Sequence, residues 1–241
     1  MSRKSKRNKP SQAPSAQQPP QAKRIGRRGI FIAAVTTLML AFVVATLVYR
    51  SEKAKSSQRA AAKNAALLSR PHSPTLGDAG ARVHIVEFLD PACETCAVFY
   101  PHVKKLMAAN PGRIRLSVRH VPFHKGADHV VRALEAARSQ DKYWQALEAV
   151  FSSQAVWAVN HAVQAERVLP ALTGIGVDPD RLRTEMNAPE IARRMELDIA
   201  DARELGVTKT PEFFVNGRPL PRFGLEELQD LVREELRSAY P

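Results

Sequence analysis

Val83-His84-Ile85-Val86-Glu87-Phe88-Leu89-Asp90-Pro91-Ala92-Cys93-Glu94-Thr95-Cys96 is the stretch that decides the fold of this chain. Its first seven residues are nearly all apolar, as in a central strand buried on both faces. Glu87 is the exception. From Cys93 to about Ala109 the period turns helical, with Val98, Phe99, Val103, Leu106 and Met107 at the apolar positions. Pro101 falls inside that helix and is expected to kink it. Asn110-Pro111-Gly112 ends it. A buried strand therefore runs into a helix, and a cysteine pair sits at the junction.

Outward from this unit, Arg113 to Val121 alternates: Ile114, Leu116 and Val118 share one face, Arg113, Arg115, Ser117 and Arg119 the other. That pattern predicts a second strand. Residues 127–187 read as a block of helices, with one stripe at Val130, Val131, Leu134 and Ala137 and another at Tyr143, Trp144, Leu147, Val150 and Phe151. A further helix is expected from Pro189 to Leu205, capped by Gly206. Phe213-Phe214-Val215 enters Asn216-Gly217, a strong hairpin turn. A closing helix carries Leu225, Leu228, Leu231, Val232 and Leu236. Strand, helix, strand, helical block, hairpin, helix is the order of an α/β sheet with helices on both faces.

Charge is distributed unevenly. The chain carries a formal +12. Residues 1–69 hold fourteen Lys/Arg and one acid, Glu52; residues 70–241 hold 22 Lys/Arg and 23 Asp/Glu. The globular part has no net attraction for phosphate, so a nucleic-acid partner is not expected. Residues 1–29, with nine Lys/Arg and a Pro- and Gln-rich run, read as a disordered basic tail. Ile30 to Tyr49 run for 20 residues without a charge. As a helix they span about 30 Å, the hydrocarbon thickness of a bilayer. The run is longer than the apolar region of a signal peptide and lacks a small-x-small end. A retained anchor at 30–49 is expected, followed by a partly helical stalk at 50–69 and a folded domain at 70–241. The positive-inside bias places the N-terminus in the cytoplasm and the domain outside the inner membrane, facing the periplasm or cell exterior. Disulfide chemistry is available there.

Cys93 and Cys96 are the only cysteines. A bridge across so small a loop restricts the unfolded chain little, so a structural staple is a weak reading. A Cys2His2 zinc site with His120 and His124 is a second reading, but the gap from Cys96 to His120 exceeds the usual finger spacing. Copper or zinc held by the two thiolates of a tethered binding protein is a third. The redox reading has a physical basis. A helix N-terminus favours a thiolate on the first cysteine, and a second sulfur one turn along can close a disulfide with it. Cys93 is then the attacking sulfur and Cys96 the resolving one.

The residues carry a resemblance. Phe88 to Cys96, then Phe99-Tyr100-Pro101, then Thr208-Lys209-Thr210-Pro211-Glu212-Phe213-Phe214-Val215-Asn216-Gly217 resemble the DsbA-like branch of the thioredoxin superfamily, over roughly residues 70–240. The resemblance implies a thioredoxin fold with a helical insertion at about 127–187. It implies a cis Thr210–Pro211 bond beside the cysteines, with Thr210 offering its backbone to an extended substrate. It implies disulfide exchange with cysteine-containing client proteins and a redox partner that recharges the pair, with no organic cofactor or metal. Glu87, as a carboxylate in a buried strand, is a candidate to exchange a proton with Cys96. The family commonly has an acid there. The dipeptide Glu94-Thr95 departs from the strongest oxidants, which carry a His in it. A negative Glu94 is expected to raise the Cys93 pKa and make the pair less oxidising.

Overall fold

The structure is a computed structural model and describes residues 27–241. The basic tail, up to residue 26, lies outside the described residues. The chain divides into two units, residues 1–52 and 53–241. The first helix, α1 (Arg27–Leu68), begins in the first unit. From Ile30 it is apolar and long enough to cross a membrane. Phe31, Leu38 and Phe42 are each at least 70% exposed, as lipid-facing side chains would be. The hydroxyls of Thr36 and Thr46 donate to the carbonyls of Ile32 and Phe42, at 3.0 and 2.7 Å. Such back-bonding leaves no polar atom of these side chains unsatisfied in an apolar medium.

The second unit is built on a five-stranded sheet in the order β1-β3-β2-β6-β7. The central strand, β2 (Val83–Leu89), pairs in parallel with β3 (Ile114–His120) and antiparallel with β6 (Glu212–Val215). Helix α2 (Glu94–Ala109) joins β2 to β3 and contains Pro101. The sheet edges are β1 (Thr75–Gly77), antiparallel to β3, and β7 (Arg218–Pro219), antiparallel to β6. Asn216 and Gly217 have φ of 48° and 81°, as a two-residue hairpin of the expected kind needs. A Cβ on Gly217 would stand 2.7 Å from the carbonyl oxygen of Ala61 in the last turns of α1, so only glycine fits there.

Between β3 and β6 the chain forms α3 (Ala127–Arg138), α4 (Tyr143–Ser152), α5 (Gln154–Trp157), α6 (Ala165–Ala171), α7 (Pro179–Glu185) and α8 (Pro189–Glu204). A small hairpin, β4 (Ala158–Val159) and β5 (Ala162–Val163), interrupts the helical block. Helix α9 (Leu225–Ala239) closes the domain. One face of the sheet, with Ile85, Leu89, Leu116, Val118 and Phe213, packs against α2, α3, α4 and α9. The other, with Val86, Phe88 and Phe214, packs against Leu68 of α1 and Ala202 of α8.

That second face corrects the reading of β3. The alternation placed Arg119 on a polar side, yet Arg119 is fully buried. Its guanidinium donates to Asp198 and Asp201 of α8, both at 2.5 Å, and to the Leu67 carbonyl of α1 at 2.6 Å. Arg70 adds a two-pronged pair to Asp201, and His72 lies 2.7 Å from Asp198. The end of the stretch read as a stalk thus contributes Leu67 and Leu68 to the packing of the second unit.

Candidate active site

Cys93 is the N-cap residue of α2, with extended backbone (φ −80°, ψ 117°). Asp90 sets up this entry. It is fully buried, its Oδ1 accepts from the Ala92 N–H at 2.8 Å, and its carbonyl accepts from the Cys93 N–H at 3.0 Å. Both cysteines are free thiols. Cys93 is 6% exposed and Cys96, one turn into the helix, is wholly buried. Only Cys93 has surface to offer an incoming sulfur.

The loop before β6 reaches the same place. The Thr210–Pro211 peptide is cis. The Cys93 thiol donates to the Thr210 carbonyl at 3.3 Å. The structure therefore brings together Cys93, Cys96, Thr210 and Pro211, residues drawn from opposite ends of the domain sequence.

The two thiols are driven apart in acidity. The Cys96 thiol hydrogen-bonds the Cys93 sulfur, the Thr210 side chain and the amides of Cys96 and Thr95 add to it, and together they outweigh desolvation to hold Cys93 at about 6. Cys93 is held low with Glu94 next along the helix. The Glu94 side chain is 62% exposed and lies 3.6 Å from the His161 ring nitrogen, so solvent screens its charge. Cys96 goes the other way: burial pushes its thiol up, as do its bond to Cys93 and the negative charge of Glu87. One thiol ionises near neutrality while the other keeps its proton. The depressed Cys93 stabilises the reduced form fully above the ordinary thiol pKa, and that stabilisation is lost as pH falls through about 6. Titration of the thiolate absorbance of the reduced protein should give a midpoint near 6. A midpoint at the free-thiol value, about 8.5, would contradict this.

Glu87 is on β2, opposite Val118 of β3 and Phe213 of β6. It is fully buried and neither carboxylate oxygen has a hydrogen-bond partner. Burial, and then the charge of Cys93, push it from 4.5 up to about 8. Its side chain faces the interior and not solvent. A raised carboxyl contributes stability below 4.5, and that contribution is lost as pH rises through about 8. Glu87→Gln should therefore be more stable than the wild type above pH 8 and should slow exchange. It should also lose the rise in rate as pH passes about 8. Stopped-flow exchange rates across pH decide this: an unchanged profile removes Glu87 from proton transfer.

Some neighbours were not readable in sequence. Phe223 is 44% exposed and stacks on Phe99 of α2 with ring centroids 5.0 Å apart, and the Lys209 ammonium lies over its ring, 5.3 Å from the centroid. Phe123, half-exposed, donates its N–H to Asp90 Oδ2 at 2.7 Å. His120 is buried and meets the Tyr143 hydroxyl at 3.0 Å, and among the described residues it joins no ligand cluster with the cysteines.

A family model described as thioredoxin matches residues 69–234. This chain belongs to the thioredoxin family. The DsbA-like likeness of its motifs stands with that membership. A thioredoxin-like oxidoreductase from Silicibacter pomeroyi DSS-3 is 31% identical, with a TM-score of 0.61 over 71% of this chain and 96% of that one. Disulfide bond formation protein D of Bacillus subtilis (strain 168) is 25% identical across 68% of this chain and 78% of its own length. The Na(+)/H(+) antiporter NhaA of Herminiimonas arsenicoxydans is 31% identical across 78% of this chain. The match spans 30% of that antiporter's length. As a thioredoxin-family domain, the chain presents its cysteine pair at a helix N-terminus facing a cis-proline loop.

Proposed function

We propose that this chain is a membrane-anchored thiol–disulfide oxidoreductase that exchanges disulfides with cysteine-containing proteins outside the cytoplasmic membrane. The observation that carries this reading is the asymmetry of the pair. Cys93 caps α2 with a small exposed edge and its pKa near 6, and Cys96 lies wholly buried with its pKa raised. Such a pair attacks through one sulfur and releases the client through the other. In the reductive direction the Cys93 thiolate attacks a client disulfide, and one client sulfur leaves with a proton. Cys96 then loses its proton, attacks Cys93 and expels the second client sulfur. Glu87 takes the Cys96 proton. Oxidation of a client runs the same steps backwards.

Thr210 and Pro211 hold the client chain beside Cys93, and Glu94 and Thr95 tune the pair. Residues 70–241 are the catalytic domain, with 127–187 as its inserted block; 50–69 link it to the anchor at 30–49. Nine Lys/Arg before the span put the N-terminus in the cytoplasm. A redox partner recharges the pair. A Cys93 pKa of about 6 lies between that of thioredoxin, about 7, and that of DsbA, about 3.5. The potential should fall between theirs, about −270 and −120 mV.

Trapping tests the reading. Cys96→Ala removes the resolving sulfur, so clients should accumulate as reductant-sensitive adducts on Cys93 in cells. An adduct-free Cys96→Ala protein, folded and membrane-bound, would overturn it.

A further inference from the structure

Glu94, His124 and His161 come from three separate parts of the chain, yet one ligand atom from each lies within 4.8 Å of the others. Glu94 opens α2 and follows the nucleophilic cysteine. His124 stands in the loop after β3. His161 stands in the turn between β4 and β5. The hairpin is fastened to that loop by a bridge between Lys125 and Ala162, with the Val163 N–H donating to the Lys125 carbonyl at 3.0 Å. The fastening sets the two imidazoles face to face, with centroids 6.2 Å apart.

We infer that these three side chains form a zinc-class metal site at the lip of the active site. Two imidazoles and one carboxylate suit a divalent ion of borderline softness. The support behind His124 is what a metal-ligating histidine requires. Its Nδ1 lies 2.8 Å from Oδ2 of Asp90, a carboxylate with no exposed surface. The same oxygen accepts from the backbone N–H groups of Phe123 and His124. With Nδ1–H given to Asp90, Nε2 keeps its lone pair for an ion, and the ring is held in orientation.

His161 adds a second sign. Asn160 and His161 both have positive φ, 51° and 58°. Glycine is the customary second residue of such a turn. A histidine there keeps an imidazole beside Glu94 at the expense of turn preference. Tetrahedral zinc ligands stand about 3.3 Å apart, so the trio must draw in by about 1.5 Å at most. The Glu94 and His161 side chains are 62% and 76% exposed and free to do so.

An ion held here would tie the β4–β5 hairpin to the first turn of α2, one residue from Cys93. It would cover the attacking sulfur and slow exchange. That consequence rests on the proposed redox function; the binding does not. Zinc is the probe because it cannot itself oxidise the thiols.

The test uses the full chain with Cys93→Ser and Cys96→Ser, which removes both thiolates as ligands. Competition with a chromophoric zinc chelator should show one zinc per chain. His161→Asn keeps a residue that tolerates the turn, and Glu94→Gln keeps the size. Each should weaken binding by about tenfold or more, with circular dichroism unchanged. Absence of zinc binding to the cysteine-free chain, or affinity unmoved by both substitutions, overturns the site. With the site intact, zinc should slow exchange by the wild type reversibly and leave His161→Asn unaffected at the same zinc concentration. Binding without slowing would overturn the covering role alone.

Discussion

Cys93→Ala is expected to lose disulfide exchange by about a thousandfold or more while keeping its fold, because a unit of two cooperating sulfurs loses its attacking member. The remaining sulfur cannot take over. Cys96 has no exposed surface, so a client sulfur cannot line up with it. Burial also keeps its proton in place. Too little thiolate and no access act together. The measurement is the rate at which a reduced dithiol peptide is oxidised, with circular dichroism as the control for folding. Activity within about tenfold of the wild type would assign the attack to Cys96 and reverse the roles given to the pair.

Arg119→Ala should cost about 3–5 kcal/mol of stability, the range for removing one partner of a buried ion pair. The substitution leaves Asp198 and Asp201, both nearly without exposed surface, facing each other across an empty site. It also frees the Leu67 carbonyl at the end of α1. Arg70 and His72 remain, but each reaches only one of the two carboxylates. Denaturant unfolding of the full chain reads the loss. A change under about 1 kcal/mol would mean that the network behaves as an exposed pair.

The parts of the fold legible in the sequence were those with a local period or a local turn code. Val83–Leu89 is apolar on both faces because it is the central strand, covered above and below. Asn216-Gly217 specifies its own turn through two positive φ values. Arg119 was misread because alternation reports which side chains share a face, not whether a later helix covers it. Here α8, some eighty positions on, supplies the carboxylates that let an arginine be buried. Strands as short as β1, with three residues, or β4 and β5, with two each, carry no measurable period.

The site divides in the same way. The cysteine spacing and the Thr210-Pro211 motif could be read along the chain. His161 could not, because it reaches Glu94 only across space, from a turn that a two-residue strand fastens to the loop after β3. A charge one residue away in sequence is exposed and set beside an imidazole, while the groups that govern the Cys93 thiolate are the Cys96 thiol, the Thr210 side chain and helix amides.

The most direct test of the central claim is disulfide transfer by the wild-type chain. Purified protein is oxidised so that Cys93 and Cys96 are joined, freed of oxidant, and mixed with an equimolar reduced dithiol peptide. Mass spectrometry follows both species. The account predicts a disulfide in the peptide, two free thiols on the protein, and a mixed disulfide through Cys93 in between. A protein whose Cys93–Cys96 bond stays closed to an excess of reduced peptide, with no mixed disulfide formed, would contradict it.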